Sequence, residues 1–99
     1  MVSPLIKSNR TQLAELCARH DISYLGLFGS HARGEQRSDS DVDLIVDFSQ
    51  RKTLFDVAVA KNDFEDALKR AVDIVIRRSL KKPRLIANIK RDVIDLYER

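Results

Sequence analysis

The chain has 99 residues, of which 43% are hydrophobic, 6% are aromatic and 33% are charged, with a formal net charge of +3. This length and composition predict one globular domain over residues 1–99, with a core of modest size. The sequence contains no apolar run long enough for a membrane span, and residues 1–7 lack the apolar core of a secretory signal, so we expect a cytoplasmic protein.

The first predicted element is a helix over residues 8–20, with Ser8 or Asn9 as its N-cap. Its apolar stripe contains Leu13, Leu16 and Cys17. Because Cys17 is the only cysteine, no internal disulfide can form, which suits a reducing compartment. We therefore expect Cys17 to be a buried structural thiol.

Two strands are predicted next, separated by a turn and a polar loop. Residues 22–28 form a buried strand that ends at Gly29-Ser30, a short helix runs from Ser30 to about Gly34, and residues 35–40 form the loop. Residues 41–47 alternate as a half-buried strand. One face carries Val42, Leu44 and Val46, and the other carries Asp41, Asp43, Ile45 and Asp47.

The second half predicts a helix over residues 53–70, with Thr53 as its N-cap and Asp56 as a weak capping-box partner. Its predicted core face contains Leu54, Val57, Ala58, Phe64 and Leu68. A strand follows at residues 72–77, and Pro83 opens a helix that runs to about Lys90. Residues 93–97 are predicted either as a short edge strand or as a continuation of that helix. This order favours an α/β (α+β) fold, a small mixed β-sheet flanked by helices.

The aspartates on the second strand are the strongest sign of chemistry. Asp41 and Asp43 are spaced i,i+2, so in a strand they project from the same side. Two carboxylates that close repel by about 4 kcal/mol at an effective dielectric of about 20, and divalent cations that prefer oxygen ligands relieve this repulsion. Asp73 lies within the apolar run of the third strand, where an unpaired charge is costly. The three aspartates predict a site for two Mg²⁺ ions that serves an in-line phosphoryl displacement.

The Gly29-Ser30 turn before this strand predicts a phosphate site. Glycine lets a phosphate approach the backbone, and the following short helix would direct its free N–H groups and positive dipole end at that phosphate. Ser30 adds a hydroxyl donor, and Arg33 lies one turn further on.

The other polar residues near these motifs are predicted to have structural, non-catalytic roles. We expect Asp39 to be a loop residue, Asp47 to be a strand-end residue, and His20 to have no catalytic role. His31 is also expected to be non-catalytic, although it is a candidate for the lining of a nucleotide pocket.

The segment from Gly29 to Gly34, followed by Ser38 to Leu44 with its Asp-x-Asp, resembles the signature of the DNA polymerase β-like nucleotidyltransferase superfamily. The short length and the later Val72-Asp73-Ile74-Val75 are similar to the minimal nucleotidyltransferase (MNT, or MntA) branch. The similarity extends from about Ile22 to Tyr97. His31 stands where many relatives carry arginine or another polar residue, and this departure removes no carboxylate.

The resemblance implies a polymerase β-like nucleotidyltransferase fold with ATP as co-substrate. It implies that Asp41 and Asp43 bind the catalytic Mg²⁺ ions, and that Asp73 completes the site and helps to activate the attacking hydroxyl. It implies that Gly29 and Ser30 hold the terminal phosphates. Members of this branch are commonly antitoxins that attach AMP to a tyrosine of a HEPN-domain ribonuclease toxin, so a hetero-oligomer with such a partner is expected.

Two alternatives remain open from the sequence. The chain could neutralise a HEPN toxin by binding alone, with the basic segment 77–91 as the contact surface. That segment carries Arg77, Arg78, Lys81, Lys82, Arg84, Lys90 and Arg91, and its apolar residues are Leu80, Leu85, Ile86 and Ile89. A weaker alternative is transfer to a small molecule such as an aminoglycoside, against which the short chain argues. Because few aromatic residues accompany the basic ones, direct sequence-specific nucleic-acid binding is not expected.

Overall fold

The computed structural model describes residues 3–99 and contains one four-stranded sheet with helices on both faces. The helices are α1 Pro4–Ser8, α2 Arg10–Arg19, α3 Ser30–Arg33, α4 Leu54–Leu68 and α5 Pro83–Asp92. The strands are β1 Ile22–Phe28, β2 Val42–Phe48, β3 Val72–Ile76 and β4 Ile94–Glu98, and a 3-10 turn occupies Arg77–Ser79. The small mixed sheet flanked by helices is therefore confirmed.

The strands lie in the order β3-β2-β1-β4, so β3 and β4 form the edges. β1 pairs antiparallel with both β2 and β4, whereas β2 and β3 are parallel and are connected through α4. The parallel register aligns Val42 with Val72 and Asp43 with Asp73. β1 and β2 are therefore the central strands, and the pairing of β2 with β3 places Asp43 beside Asp73.

One face of the sheet is covered by α2 and α4 and carries the main core. Val42, Leu44 and Val46 all point to this face, as their alternation in the sequence predicts, and none of them is exposed. Leu13 of α2 and Phe64 of α4 pack into the same cluster. Cys17 is buried there, and burial raises the pKa of its thiol to about 12, so it behaves as the predicted structural residue.

The opposite face carries a smaller core beneath α5. Tyr24 and Ile45 from the sheet pack with Ile89 of α5, and all three are buried. Asp43 lies two residues before Ile45 on the same strand and therefore belongs to this face. The α5 side of the sheet is thus where the candidate chemistry lies.

Most predicted boundaries differ from the observed ones by only one or two residues, but the N-terminal region differs more. The predicted helix 8–20 is two helices, because the chain breaks at Asn9 between α1 and α2. Asn9 occupies the N-cap position of α2 without capping it, since its side-chain amide donates to the Leu5 carbonyl oxygen at 2.8 Å. The ambiguity at 93–97 resolves as the edge strand β4.

The predicted core face of α4 was wrong at its beginning. Leu54 is 87% exposed and Ala58 is also exposed. The face of α4 that packs on the sheet consists instead of Val57, Ala60, Phe64 and Leu68. The predicted capping box is confirmed at Thr53 and Asp56. Within residues 3–99, no helix combines the length and the apolarity needed to cross a bilayer.

Candidate active site

The pairing of β2 with β3 brings two of the predicted site residues together. Asp43 and Asp73 are register partners on adjacent parallel strands, and Asp41 lies just before β2 on the same side as Asp43. Asp43 is half-buried, whereas Asp41 and Asp73 are exposed. The three carboxylates therefore share one end of the sheet, open to solvent.

Asp43 carries the clearest electrostatic sign of this grouping. Burial raises the pKa of its carboxyl above the ordinary value, and the charges of Asp73 and then Asp41 raise it further. His31 and Arg33 act in the opposite direction with smaller effect. The electrostatic environment of Asp43 thus favours a nearby cation or a proton.

Gly29 lies directly against the Asp43 side chain. A Cβ added at Gly29 would overlap Oδ2 of Asp43 and would lie 3.1 Å from its Cγ. Gly29 also has a φ of +76°, a left-handed conformation that side chains disfavour. Only glycine satisfies both conditions, so the predicted phosphate turn and the carboxylate of Asp43 adjoin each other.

The helix after this turn, α3, is a single turn of four residues. The Gly29 carbonyl oxygen accepts hydrogen bonds from the N–H groups of Ala32 and Arg33, at 3.1 and 3.2 Å. Ser30 is the first residue of α3, where backbone N–H groups have no partner within the helix. This placement leaves Ser30 available for the role predicted for it.

Arg33 is held by carboxylates of the protein itself. Its guanidinium donates from Nε to Glu35 at 2.6 Å and from Nη1 to Asp92 of α5 at 2.9 Å. The pKa of Asp92 is lowered first by its hydrogen bond from Arg91 and then by the one from Arg33. Arg33 therefore ties α3 to α5 in this structure, and its predicted contact with a nucleotide would require it to exchange one of these partners.

His31 has a structural role that the sequence analysis did not identify. It is only 2% exposed, its Nε2 lies 3.3 Å from the Ser40 carbonyl oxygen, and its Nδ1 lies 3.1 Å from the Ser3 hydroxyl. Because a carbonyl oxygen only accepts, Nε2 is the protonated nitrogen in that contact. His31 thereby fixes α3 to the residue immediately before Asp41. Histidine content alone gave no signal for this link, because Ser3 and Ser40 are distant in sequence.

The donor set fits Mg²⁺ in its chemistry, because all three candidate ligands are carboxylates on one end of the sheet. The described residues, 3–99, hold no group of three His, Cys, Asp or Glu side chains already arranged to bind a metal ion. Mutual repulsion between ionised carboxylates favours separated side chains in the absence of a cation. The metal-binding roles of Asp41, Asp43 and Asp73 therefore stay predictions.

On the same face of the sheet as Asp43, a cleft of about 220 Å³ lies between α5 and the sheet. Its apolar walls are Tyr24, Ile45, Leu80, Ile86, Ile89 and Val93, with Arg77 and Lys90 at the margin. The apolar residues of the segment 77–91, which the binding-only alternative offers as part of a contact surface, belong largely to this cleft. Ile89 is buried, and Leu80, Leu85 and Ile86 are half-buried against the protein's own sheet.

Arg77 of the basic segment 77–91 is already engaged by other residues of the chain. Arg77 forms an ion pair with Asp47, and its guanidinium lies 4.1 Å from the centre of the Tyr24 ring. This ion pair gives Asp47 a structural role near the end of β2, where it was predicted as a strand-end residue. The remaining cations of the segment are exposed.

Comparison with known proteins places this geometry in a wider context. Residues 11–99 match the protein family described as Polymerase beta, Nucleotidyltransferase. Protein adenylyltransferase MntA of Thermococcus cleftensis is 36% identical over 80 residues, which cover 81% of this chain and 80% of that protein.

Two solved structures are similar in fold. A candidate minimal nucleotidyltransferase has a TM-score of 0.79 at 42% identity, with 95% of each chain covered. A chain in the complex of a tri-AMPylated Shewanella oneidensis HEPN toxin with an MNT antitoxin has a TM-score of 0.71 at 19% identity, covering 94% of this chain and 72% of that one. At that identity, the second likeness shows the fold alone.

Proposed function

Because this chain belongs to the polymerase β nucleotidyltransferase family and is a nucleotidyltransferase, we propose that it transfers AMP from ATP to a tyrosine hydroxyl of a HEPN-domain ribonuclease toxin and so neutralises that toxin. The 36% identity to a protein adenylyltransferase supports a protein as the acceptor. The AMPylated toxin found with an antitoxin of the same fold supports a HEPN toxin as that acceptor. The need for ATP supports the cytoplasm as the place of action.

One observation carries the proposal. The Gly29 backbone lies against the Asp43 carboxylate, and Asp43 lies in register with Asp73 on the next strand. A nucleotidyltransferase needs a phosphate cradle in contact with its metal-binding carboxylates, since the phosphorus that is attacked lies between them. Gly29 directly follows β1, and the antiparallel pairing of Phe28 with Asp43 brings the turn to the carboxylates.

In the proposed reaction, Gly29 and Ser30 hold the terminal phosphates of ATP through backbone N–H groups and the Ser30 hydroxyl. The Asp73 carboxylate accepts the proton of the acceptor tyrosine as its oxygen attacks the α-phosphorus. A bond forms between the tyrosine oxygen and that phosphorus, the bond from the phosphorus to the bridging oxygen breaks, and pyrophosphate leaves. His31 acts as a positioning residue, because it fixes the segment before Asp41 to α3.

We propose that Asp41, Asp43 and Asp73 together hold Mg²⁺, most simply two ions. When bound, Mg²⁺ would neutralise charge on the phosphate oxygens during transfer. Asp43 is the central ligand in this arrangement, since it lies between Asp41 along its own strand and Asp73 across the sheet. Arg33 would contribute to phosphate binding by exchanging Asp92 or Glu35 for a phosphate oxygen.

The decisive experiment uses radiolabelled ATP, Mg²⁺ and a HEPN-domain toxin from the same genome. We expect label on the toxin with the wild-type chain and a loss of at least about a thousandfold in rate with Asp41→Asn, because removing a metal ligand removes transition-state charge stabilisation. Asp39→Asn is the matched control, since Asp39 is an exposed aspartate two residues away with no proposed role. Unlabelled toxin, or equal labelling by both variants, would overturn the proposal.

A second candidate function is neutralisation by binding alone. Leu54, Phe55 and Val59 at the start of α4 are 87%, 77% and 40% exposed and form an apolar patch on the opposite face of the sheet from Asp43. This patch favours a protein contact that does not use the carboxylates. Growth rescue by the Asp41→Asn, Asp43→Asn double variant in cells expressing the toxin would favour binding alone, whereas loss of rescue would favour transfer of AMP.

A further inference from the structure

A second cleft lies at the ends of the parallel strands β2 and β3, remote from the three aspartates. Asp43 lies near the beginning of β2, and Phe48 lies at its end, about 16 Å away at the usual rise per strand residue. A cleft of about 390 Å³ opens where β2 and β3 end. We call it the basic cleft, and it is lined by Phe48, Ser49, Gln50, Arg51, Lys52, Ile76, Arg78 and Ser79.

The charges of the basic cleft are all of one sign. Arg51, Lys52 and Arg78 line it, and no Asp or Glu is among its lining residues. Lys52 is neutralised by Asp21, with Nζ 2.8 Å from the carboxylate. In the part of the chain that the structure describes, neither Arg51 nor Arg78 forms an ion pair with a carboxylate. Two guanidinium groups therefore remain to attract an anion.

The loop that carries Arg51 is held in place by Asp21. The backbone N–H of Ser49 donates to the Asp21 carbonyl oxygen at 2.8 Å, and the Ser49 hydroxyl donates to the same oxygen at 3.1 Å. The ion pair of Lys52 with the Asp21 carboxylate fixes the other end of the loop. Arg51 thus projects from a segment anchored on both sides, which lowers the ordering cost of binding a ligand there.

Arg78 approaches from the other strand. It follows β3 in the 3-10 turn, and its Nη2 lies 3.4 Å from the Phe48 carbonyl oxygen, so it leans across the end of β2. The neighbouring Arg77 is already committed to Asp47 and the Tyr24 ring on the other face. The two adjacent arginines therefore have different roles, and only Arg78 serves the basic cleft.

From these contacts we propose that the basic cleft binds a phosphate-bearing ligand through Arg51 and Arg78. Guanidinium groups present forked donors that match phosphate oxygens, and the Ser79 hydroxyl and the Gln50 amide supply further donors. Phe48 and Ile76 provide an apolar floor against which a sugar or base can lie. The phosphate comes either from a free nucleotide or polyphosphate, or from the backbone of single-stranded RNA.

This proposal does not depend on the transfer of AMP. The basic cleft needs no metal ion, because its ligands are cations, whereas the carboxylate site requires Mg²⁺ to hold phosphates. Binding measured in EDTA therefore reports on the basic cleft alone. We expect Arg51→Gln, a change outside the segment 77–91, to label the toxin at the wild-type rate, so the two proposals can fail separately.

The test is titration of the isotopically labelled full chain by NMR in EDTA, with inorganic pyrophosphate in one arm and a short single-stranded oligoribonucleotide in the other. We expect shifts at residues 49–52 and 78–79, and none at residues 29–34. The Arg51→Gln, Arg78→Gln variant should bind at least about tenfold more weakly, because each charge-assisted contact contributes substantially to affinity. Lys61→Gln, Arg84→Gln is the matched control, with the same change in net charge at exposed positions elsewhere.

The two arms distinguish the sources of phosphate. Tight pyrophosphate binding with no gain from the oligonucleotide identifies a free phosphorylated ligand. Tighter oligonucleotide binding identifies an RNA backbone, and there the arginine variant should reduce the slope of log K against log salt concentration by about 1.4. Equal weakening by the control variant, absence of shifts in the basic cleft, or equal affinity for a polyglutamate peptide would each overturn the proposal.

Discussion

Asp43 is the residue at which stability and function most clearly oppose each other. It is half-buried, lies in register with Asp73, and contacts the space that a side chain at Gly29 would fill. Its raised pKa means that the folded protein holds this proton more tightly than the unfolded chain does. The free energy of unfolding therefore falls as the pH rises through the unfolded and then the folded pKa of this carboxyl.

The first prediction concerns the stability of Asp43→Asn. In EDTA at neutral pH, we expect this variant to unfold with a free energy roughly 0.2–1 kcal/mol higher than wild type, the range of partly solvated charge interactions. The contribution of this carboxyl to the pH dependence should disappear. Urea unfolding at several pH values measures both effects.

Magnesium provides the internal control for this prediction. Saturating Mg²⁺ should raise the midpoint of urea unfolding for the wild type and leave the midpoint of Asp43→Asn unchanged, because a ligand stabilises only the state that binds it. Asp39→Asn should behave like the wild type in every condition. A wild-type midpoint that does not respond to Mg²⁺ would contradict the metal-binding role.

A second prediction at the residue scale concerns Gly29→Ala. The new Cβ would overlap Asp43 and would require a left-handed φ, so we expect a loss of about 1–3 kcal/mol in the free energy of unfolding. Labelling of the toxin should fall at least about a hundredfold, because Asp43 must move. Thermal unfolding and the labelling assay measure the two effects.

Gly34→Ala is the matched control for Gly29→Ala. Gly34 also has a left-handed backbone, with φ of +74°, but it is an exposed helix cap. With ψ of 21° it is αL, whereas Gly29 has ψ of −157°, so Gly34→Ala measures the cost of a positive φ alone, about 1–2 kcal/mol. If Gly34→Ala reduced labelling as strongly as Gly29→Ala, the contact with Asp43 would not be the cause.

At the scale of elements, α4 determines how β2 and β3 come together. It connects the two parallel strands, and its buried residues Ala60, Phe64 and Leu68 pack beneath the sheet. A slip of one residue in β3 would turn Asp73 towards the core and Ile74 towards solvent, so burial of the alternate residues fixes the register. The position of Asp73 beside Asp43 thus depends on the packing of α4.

The beginning of α4 supplies an element-scale prediction. The Thr53 hydroxyl accepts from the Asp56 N–H at 3.2 Å, and the Thr53 N–H donates to the Asp56 carboxylate at 2.9 Å. Thr53→Ala should lower the free energy of unfolding by about 1 kcal/mol, measured by urea unfolding. Thr11→Ala, at an exposed helical threonine of α2, should change it by less than about 0.5 kcal/mol. A reversed order of these effects would contradict the cap.

At the scale of the whole molecule, the two faces and the two strand ends have different properties. The carboxylates and the apolar cleft lie on the α5 face, the exposed apolar patch lies on α4, and the basic cleft lies at the far end of β2 and β3. A chain of this size can therefore present separate surfaces to ATP and to a protein partner. That residues 1–99 act as one domain stays a prediction.

The apolar patch leads to a prediction for the complex with the toxin. Leu54→Ser, Phe55→Ser should fold with a free energy of unfolding within about 0.5 kcal/mol of wild type, because both side chains are exposed. The variant should bind the toxin at least about tenfold more weakly in calorimetric titration, since apolar area removed from water on binding would be lost. Lys61→Ser, Asn62→Ser, exposed on the same helix, is the control. Unchanged toxin affinity would exclude the patch from the contact surface.

The sequence by itself determined the local features of this protein. Alternation along β2 identified its buried face, the Thr53 and Asp56 spacing identified the cap of α4, and the Gly29-Ser30 and Asp-x-Asp pattern identified the family. Each of these signals comes from a short stretch of the chain. Within such a stretch, the periodicity of a strand or helix predicts which residues share a face.

Only the tertiary structure decided which distant residues meet. It showed that Gly29 lies against Asp43, that His31 reaches Ser3 and Ser40, that Arg33 is held by Asp92, and that Leu54 is exposed although its helical phase predicted burial. Such contacts depend on how far each element extends past its neighbours and on which strands become adjacent. Those properties result from packing of the whole chain, and no short segment of sequence encodes them.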